Sequence, residues 1–238
     1  MTSANQHNTH SSCETCTLKQ NDFLCHLSPL AAKEFESIKM SYRYPEGSIL
    51  FLENERARGV FLVCSGKVKL SVSSRAGKNL ILQIVQPGEV IGLSASMSGA
   101  PYEVTAETLH PAQVVFISRE DFLRFVHRFP EAYGAVTQQL NLQYARACAQ
   151  LRTIGLSTTA HEKLARLFLN WPSNEKRSPE TNQIKVPLTH EQIAACVGST
   201  RETVTRTLSD FRNKHLVTLK GTTVMISDRS ALVAMSGE

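Results

Sequence analysis

Two groups of residues in this 238-residue chain have the types and spacing to do chemistry. The first is Cys13, Cys16 and Cys25, in the run CETCTLKQNDFLC. Two cysteines in a C-x-x-C spacing hold one metal from a single turn, and a third further along closes the site. Zinc with His10 or His26 as fourth ligand fits that pattern, and so does a group of plain thiols. A thiol–disulfide pair at CETC would make the chain an enzyme, but such a motif opens a helix after a strand. Here it lies in a polar tail with no strand before it, and no other catalytic arrangement stands out, so the enzyme reading is rejected. The second group is Arg201, Glu202, Thr205 and Arg206, which share one face of a helix near its N-terminal end. An arginine there bonds guanine O6 and N7 together, and a glutamate accepts from cytosine N4. A solvated face of ordinary charge pairs has the same composition, so the flanking residues must decide.

They favour DNA. The run from Leu188 to Leu216 divides into two short amphipathic segments about Gly198. Thr189 and Gln192 form a capping-box pattern, and Ile193, Ala194 and Val197 give an apolar face at helical spacing. Ser199 and Glu202 repeat the box, and Val204, Leu208 and Phe211 supply the second apolar face. Two helices across a short glycine turn make a helix-turn-helix, with Ser199 and Thr200 at the start of the reading helix. Leu216–Leu219 and Thr223–Ile226 then predict two strands around Lys220-Gly221, a wing that sets Lys220 near a phosphate.

The run VGSTRETVTRTLSDFRNKHLVTLKGTTVMI resembles the DNA-binding domain of the Crp/Fnr family of bacterial transcription regulators. In that family the reading helix carries R-E-x-x-x-R, occupied here by Arg201, Glu202 and Arg206. The resemblance implies both arginines on guanines and the glutamate on the complementary cytosine. The Fnr branch has serine just before the last arginine, and Thr205 is a hydroxyl-bearing counterpart. It also implies double-stranded DNA and RNA polymerase as partners.

The remaining chain fits the same plan. Composition is that of an ordinary globular protein, 42% hydrophobic and 20% charged, with net charge +5. From Ser157 onward there are 11 Lys+Arg against 8 Asp+Glu, a mild excess compatible with phosphate binding. No apolar run reaches the length of a membrane span and no signal peptide opens the chain, so a cytoplasmic protein with reduced cysteines is expected. Ser28-Pro29 starts a helix with Leu27, Ala31, Phe35 and Ile38 as its buried face. Short strands follow at Ile49–Leu52, Val60–Cys64, Val68–Val72, Leu80–Val85 and Val114–Ile117, between turns marked by glycine. Val68, Leu70 and Val72 alternate with polar residues, as in a strand buried on one side. Strands at this spacing predict a sandwich or barrel. The family's jelly-roll sensor domain is similar, down to YPEGSILF and SGKVKL.

Cyclic-nucleotide-binding members carry a glutamate for the ribose and an arginine for the phosphate after a PGE turn. At those aligned positions this chain has Leu93 and Ala100, and no Lys or Arg lies between Lys78 and Arg119, so no cAMP binding is expected. Pro130 opens a long helix on which Tyr133, Thr137, Leu140, Tyr144, Ala147, Leu151 and Ile154 recur at a/d spacing. A helix packed on its own domain has similar periodicity over three turns, but the family dimerises here, so a homodimer is favoured. Gly155 and Ser157 mark a hinge, and Ser157–Trp171 is a helix with Leu164, Leu167, Phe168 and Trp171 on one face.

The Fnr branch holds an oxygen-sensitive 4Fe–4S cluster on an N-terminal cysteine group plus one sensor-domain cysteine. Cys13, Cys16 and Cys25 look like that group, while Val115 stands at the aligned fourth position and Cys64 is the alternative ligand. Cys148 and Cys196 read as packed helix thiols. The expected architecture is α+β: residues 1–27 a cysteine-bearing tail, 28–128 a jelly-roll β sensor domain, 129–155 a dimerisation helix and 156–238 a winged helix-turn-helix.

Overall fold

The computed structural model describes residues 27–171, 183–220 and 223–237. Its chain divides into two compact units, one of residues 1–72 and 83–145 and the other of residues 73–82 and 146–238.

Eight short strands lie in the first unit, apart from residues 73–82: β1 (Met40–Tyr44), β2 (Ile49–Phe51), β3 (Gly59–Ser65), β4 (Val68–Ser73), β5 (Asn79–Val85), β6 (Val90–Ile91), β7 (Thr105–Thr108) and β8 (Ala112–Ser118). They form two four-stranded sheets in the orders β1-β8-β3-β6 and β2-β7-β4-β5, the jelly-roll plan. Three of the eight, β1, β6 and β7, carry no clear sequence signal. β1 is held by its antiparallel pairing with β8, Tyr42 opposite Val114. The alternation expected in β4 breaks at Ser71, which is buried while Val72 is only half-buried. Between the sheets lies an aromatic core in which Phe51 stacks on Tyr102 with centroids 3.9 Å apart and Phe61 packs on Phe116 at 4.9 Å. At Gly59 the chains approach so closely that a Cβ would sit 2.0 Å from the Ile117 carbonyl oxygen, so only glycine fits.

Helices cover one sheet. α1 (Pro29–Ile38) begins as expected, with the Ser28 hydroxyl accepting from the Ala31 amide and proline at the first turn. Its Ala31 and Phe35 are buried, and Leu27 and Ile38 pack partly buried on the same cluster. α2 (Leu93–Ser98), α3 (Arg119–Arg128) and the start of α4 (Pro130–Gly155) complete the set. The α4 residues in this core are Ala132, Ala135 and Val136, with Leu140 packed partly buried against it.

The second unit contains α5 (Ala160–Leu169), β9 (Gln183–Lys185), α6 (His190–Val197), α7 (Arg201–Asn213), β10 (Val217–Lys220), β11 (Thr223–Ile226) and α8 (Arg229–Ser236). α5 starts three residues later than the sequence suggests, because Thr159 and Glu162 close a capping box there. Leu164 and Phe168 are fully buried and Trp171 nearly so, with Leu167 half-buried. The wing is a three-stranded antiparallel sheet in the order β10-β11-β9, the third strand being one the sequence does not announce.

Candidate nucleic-acid interface

α6 forms by the predicted capping box: Thr189 accepts from the Gln192 amide and the Gln192 side chain accepts from the Thr189 amide. Ile193, Ala194 and Val197 are buried, and Gly198 ends the helix in the left-handed region at φ 62°. The second box does not form. Ser199 is taken into the turn, its amide donating to Ala194 O at 2.9 Å, so Thr200 becomes the N-cap of α7 and accepts from the Thr203 amide at 3.2 Å.

α7 is fixed by one face and free on the other. Val204 and Phe211 have no exposure, and Thr207 and Leu208 are buried beside them. Arg201, Glu202, Thr205 and Arg206 are all exposed, on the opposite side of the first two turns. The structure therefore brings the four predicted readers onto one surface. Glu202 is held below the usual carboxylate range, first by its own backbone amide and then by the Thr200 hydroxyl, with Arg201 and Arg206 adding attraction. It is an anion at neutral pH, able only to accept hydrogen bonds. Ser199 is half-buried, Thr200 is exposed at the helix start, and Lys220 is exposed at the end of β10. Gly221, the other half of the predicted wing turn, lies outside the described residues.

Two neighbours that sequence reasoning missed orient this helix. His190, the first residue of α6, places Nδ1 2.9 Å from Thr205 Oγ1, and the Thr205 hydroxyl also lies 2.9 Å from the Arg201 carbonyl oxygen. His161 on α5 bonds Asp210 on α7 at 3.2 Å, and its ring lies tilted near the Phe211 ring. Contacts between residues 15 or 49 apart leave no periodic trace in a sequence.

The predicted seam on α4 splits in two. Tyr133, Thr137, Tyr144, Ala147 and Leu151 are exposed, Tyr144 and Leu151 at 72% and 70%, whereas Leu140 and Ile154 are half-buried. Tyr133 also bonds His127 Nδ1 at 2.9 Å. An apolar stripe thus faces away from the core that α4 helps to close.

In the first unit Leu93 is fully buried among apolar side chains and Ala100 is exposed. Burial raises the Tyr102 phenol above its usual range; its hydroxyl donates to Gly59 O at 2.7 Å and accepts from the Arg58 and Gly59 amides. Cys13, Cys16 and Cys25, with His10 and His26, lie outside the described residues. Cys64 on β3 is half-buried against the α1–α3 core, on which Leu27 also packs. Val115 is buried in that core as an apolar residue. Cys196 is buried, as expected of a packed thiol, but Cys148 is only half-buried. Among the described residues no three His, Cys, Asp or Glu side chains gather as a metal site, and no helix is long and apolar enough to cross a membrane.

Comparisons with known proteins agree with this layout. Residues 42–129 match the cyclic nucleotide-binding domain and residues 162–235 the Crp-like helix-turn-helix domain. The chain is 26% identical to the transcriptional activatory protein AadR of Rhodopseudomonas palustris, over 94% of this chain and 93% of that protein. It is 27% identical to the CRP-like cAMP-activated global transcriptional regulator of Mycobacterium tuberculosis, over 79% of this chain and 84% of that one. The structure of FixK2 from Bradyrhizobium japonicum superposes with a TM-score of 0.73 at 21% identity, covering 83% of this chain and 97% of FixK2.

Proposed function

Because the chain belongs to the Crp/Fnr family of transcription regulators, we propose that it acts as a homodimer on a two-fold symmetric DNA site, reading each half-site with the start of α7. One observation carries the reading: Arg201, Glu202, Thr205 and Arg206 are exposed together on a helix whose other face is locked in the core. In the major groove Arg201 and Arg206 each bond a guanine, and Glu202 accepts from a cytosine N4. Ser199 and Thr200 precede that helix and Lys220 is exposed at the end of β10, and in this reading the three bond phosphates and set the register. The exposed stripe from Tyr133 to Leu151 on α4 is the face that a second copy covers. RNA polymerase is the expected partner of the DNA-bound dimer. Selection from a pool of duplexes with a randomised core tests this. Enrichment of an inverted repeat with centres about 34–36 Å apart supports it, and an enriched site without symmetry overturns the dimer.

The signal we propose is oxygen or redox state, through a 4Fe–4S cluster on Cys13, Cys16, Cys25 and Cys64. Cysteine thiolates are the right donors, and Leu27, two residues past Cys25, packs on the same core as Cys64. Such a group supplies an oxygen-labile redox centre when bound. A second reading, a regulator without a cluster, is favoured by Val115, a buried apolar residue where the family pattern expects the fourth cysteine. Metal and sulfide content with an absorption spectrum, on protein purified without oxygen, separates them. About four irons per chain that bleach in air support the cluster. One zinc makes the cysteines structural, and neither metal leaves the second reading. Cyclic AMP is not the ligand we propose, since Leu93 is packed in the core and Ala100 offers a phosphate no charge. Calorimetry that found tight cAMP binding would overturn that.

A further inference from the structure

Thr205 is a reader on α7 whose hydroxyl proton is already taken within the protein. Its single hydroxyl proton has two partners in reach, the Arg201 carbonyl oxygen at 2.9 Å and His190 Nδ1 at 2.9 Å. When the ring carries Nδ1–H, the hydroxyl accepts from His190 and donates to Arg201 O. In the other tautomer the hydroxyl donates to Nδ1. Either way the proton stays inside the protein.

The same bonds fix the side chain. A helical threonine divides between two rotamers, one of which turns its oxygen back to the carbonyl four residues earlier. The Arg201 bond selects that rotamer, and His190, reaching across from the start of α6, holds it from the other side. With the oxygen tied back, the γ-methyl is what Thr205 has left to offer on its exposed face, between Arg201 and Arg206. Thymine is the base that shows a methyl in the major groove, and the threonine methyl is among the groups that contact it. We propose that Thr205 reads a thymine through methyl contact, and that His190 is the positioning residue that keeps the methyl forward. This rests on α7 being the DNA-reading helix.

The test starts from duplexes selected from the randomised pool and replaces each thymine of the half-site, one at a time, by deoxyuridine, which lacks only the methyl. Binding is followed by fluorescence anisotropy. At one thymine the swap should weaken wild-type binding roughly fourfold per half-site, the equivalent of one buried methyl. Thr205→Ser should lose that sensitivity while still binding, and Thr205→Val should keep it. His190→Ala should shrink the thymine-to-deoxyuridine ratio at that position and at no other. His190→Asn, whose amide can bond the same oxygen, should restore it. Wild-type protein indifferent to every swap, or Thr205→Ser as sensitive as wild type, overturns the methyl contact alone. An unchanged ratio in His190→Ala overturns the positioning role. A pool from which no sequence is enriched overturns the DNA reading itself, and this inference with it.

Discussion

Arg206 stands at the far end of the exposed row on α7, one turn beyond Glu202. A bidentate bond to guanine depends on the guanidinium fork, so Arg206→Ala should cost about 1–3 kcal/mol of binding and relax preference at one base pair. Anisotropy titrations over single-base variants of the selected site check this. A uniform loss on every sequence would mean that Arg206 touches only phosphate. This row was legible because residues one and four apart share a helix face, and because the capping box and glycine turn before it mark a helix-turn-helix where charge pairs alone would not. His190 was not legible, since its bond to Thr205 crosses the turn and follows no period. Cys196 makes a second residue-level prediction. It is 4% exposed, and burial pushes its thiol from 9.0 up to about 12. The folded state thus holds a proton that the unfolded chain releases. The associated stability is fully present below pH 9 and is lost as pH rises towards 12, with a limiting slope of about 1.4 kcal/mol per pH unit. Urea unfolding at pH 8 to 10.5 should show a shallower alkaline loss in Cys196→Ala than in wild type, and equal slopes would refute it.

Helix ends decide the next scale. α7 closes in a Schellman arrangement: the Leu216 amide donates to Phe211 O at 2.9 Å and the His215 amide to Arg212 O at 3.0 Å, with Phe211 and Leu216 buried together. The left-handed position in it is filled by His215 at φ 56°, where a side chain is strained. His215→Gly should therefore raise unfolding stability by about 1 kcal/mol, read as a higher urea midpoint at unchanged slope. A lower midpoint would show that the imidazole makes contacts worth more than the strain. At the start of α5 the Glu162 carboxylate is held below its usual range, first by the Thr158 amide. Its stabilisation is present above the ordinary glutamate range and is lost as pH falls, so Glu162→Gln should flatten the acid limb of the unfolding profile. Matching acid limbs in the two proteins would count against it. The caps of α1, α6 and α7 were readable in sequence to within a residue, whereas α5 starts three residues later than its sequence suggests. Ser199 and Thr200 can both cap, and the choice fell to Thr200 because the turn after Gly198 consumes the Ser199 amide. β9, at three residues, has no pattern of its own and exists through its pairing with β11.

At the scale of the whole molecule, the face of α4 matters most. A heptad seam and a helix lying on its own core share so much periodicity that the sequence admits both, and α4 packs one face on its core while leaving another exposed. Ala132, Ala135 and Val136 pack inward, while Tyr133, Thr137, Tyr144, Ala147 and Leu151 stay exposed one position round. Leucine and tyrosine left 70% and 72% exposed on one stripe make water contact that pairing with a second copy, as proposed above, would remove. A charge set there opposes pairing without entering the core of the monomer. Tyr144→Glu with Leu151→Glu should therefore sediment as a folded monomer with unchanged secondary structure. Two linked half-sites bind more tightly than either alone by roughly 10²–10⁴, so the charged variant should lose about that factor on the palindrome and little on an isolated half-site. A double variant that remains a dimer would move the interface off α4. One that is monomeric yet binds the palindrome undiminished would show that the two half-sites are read independently.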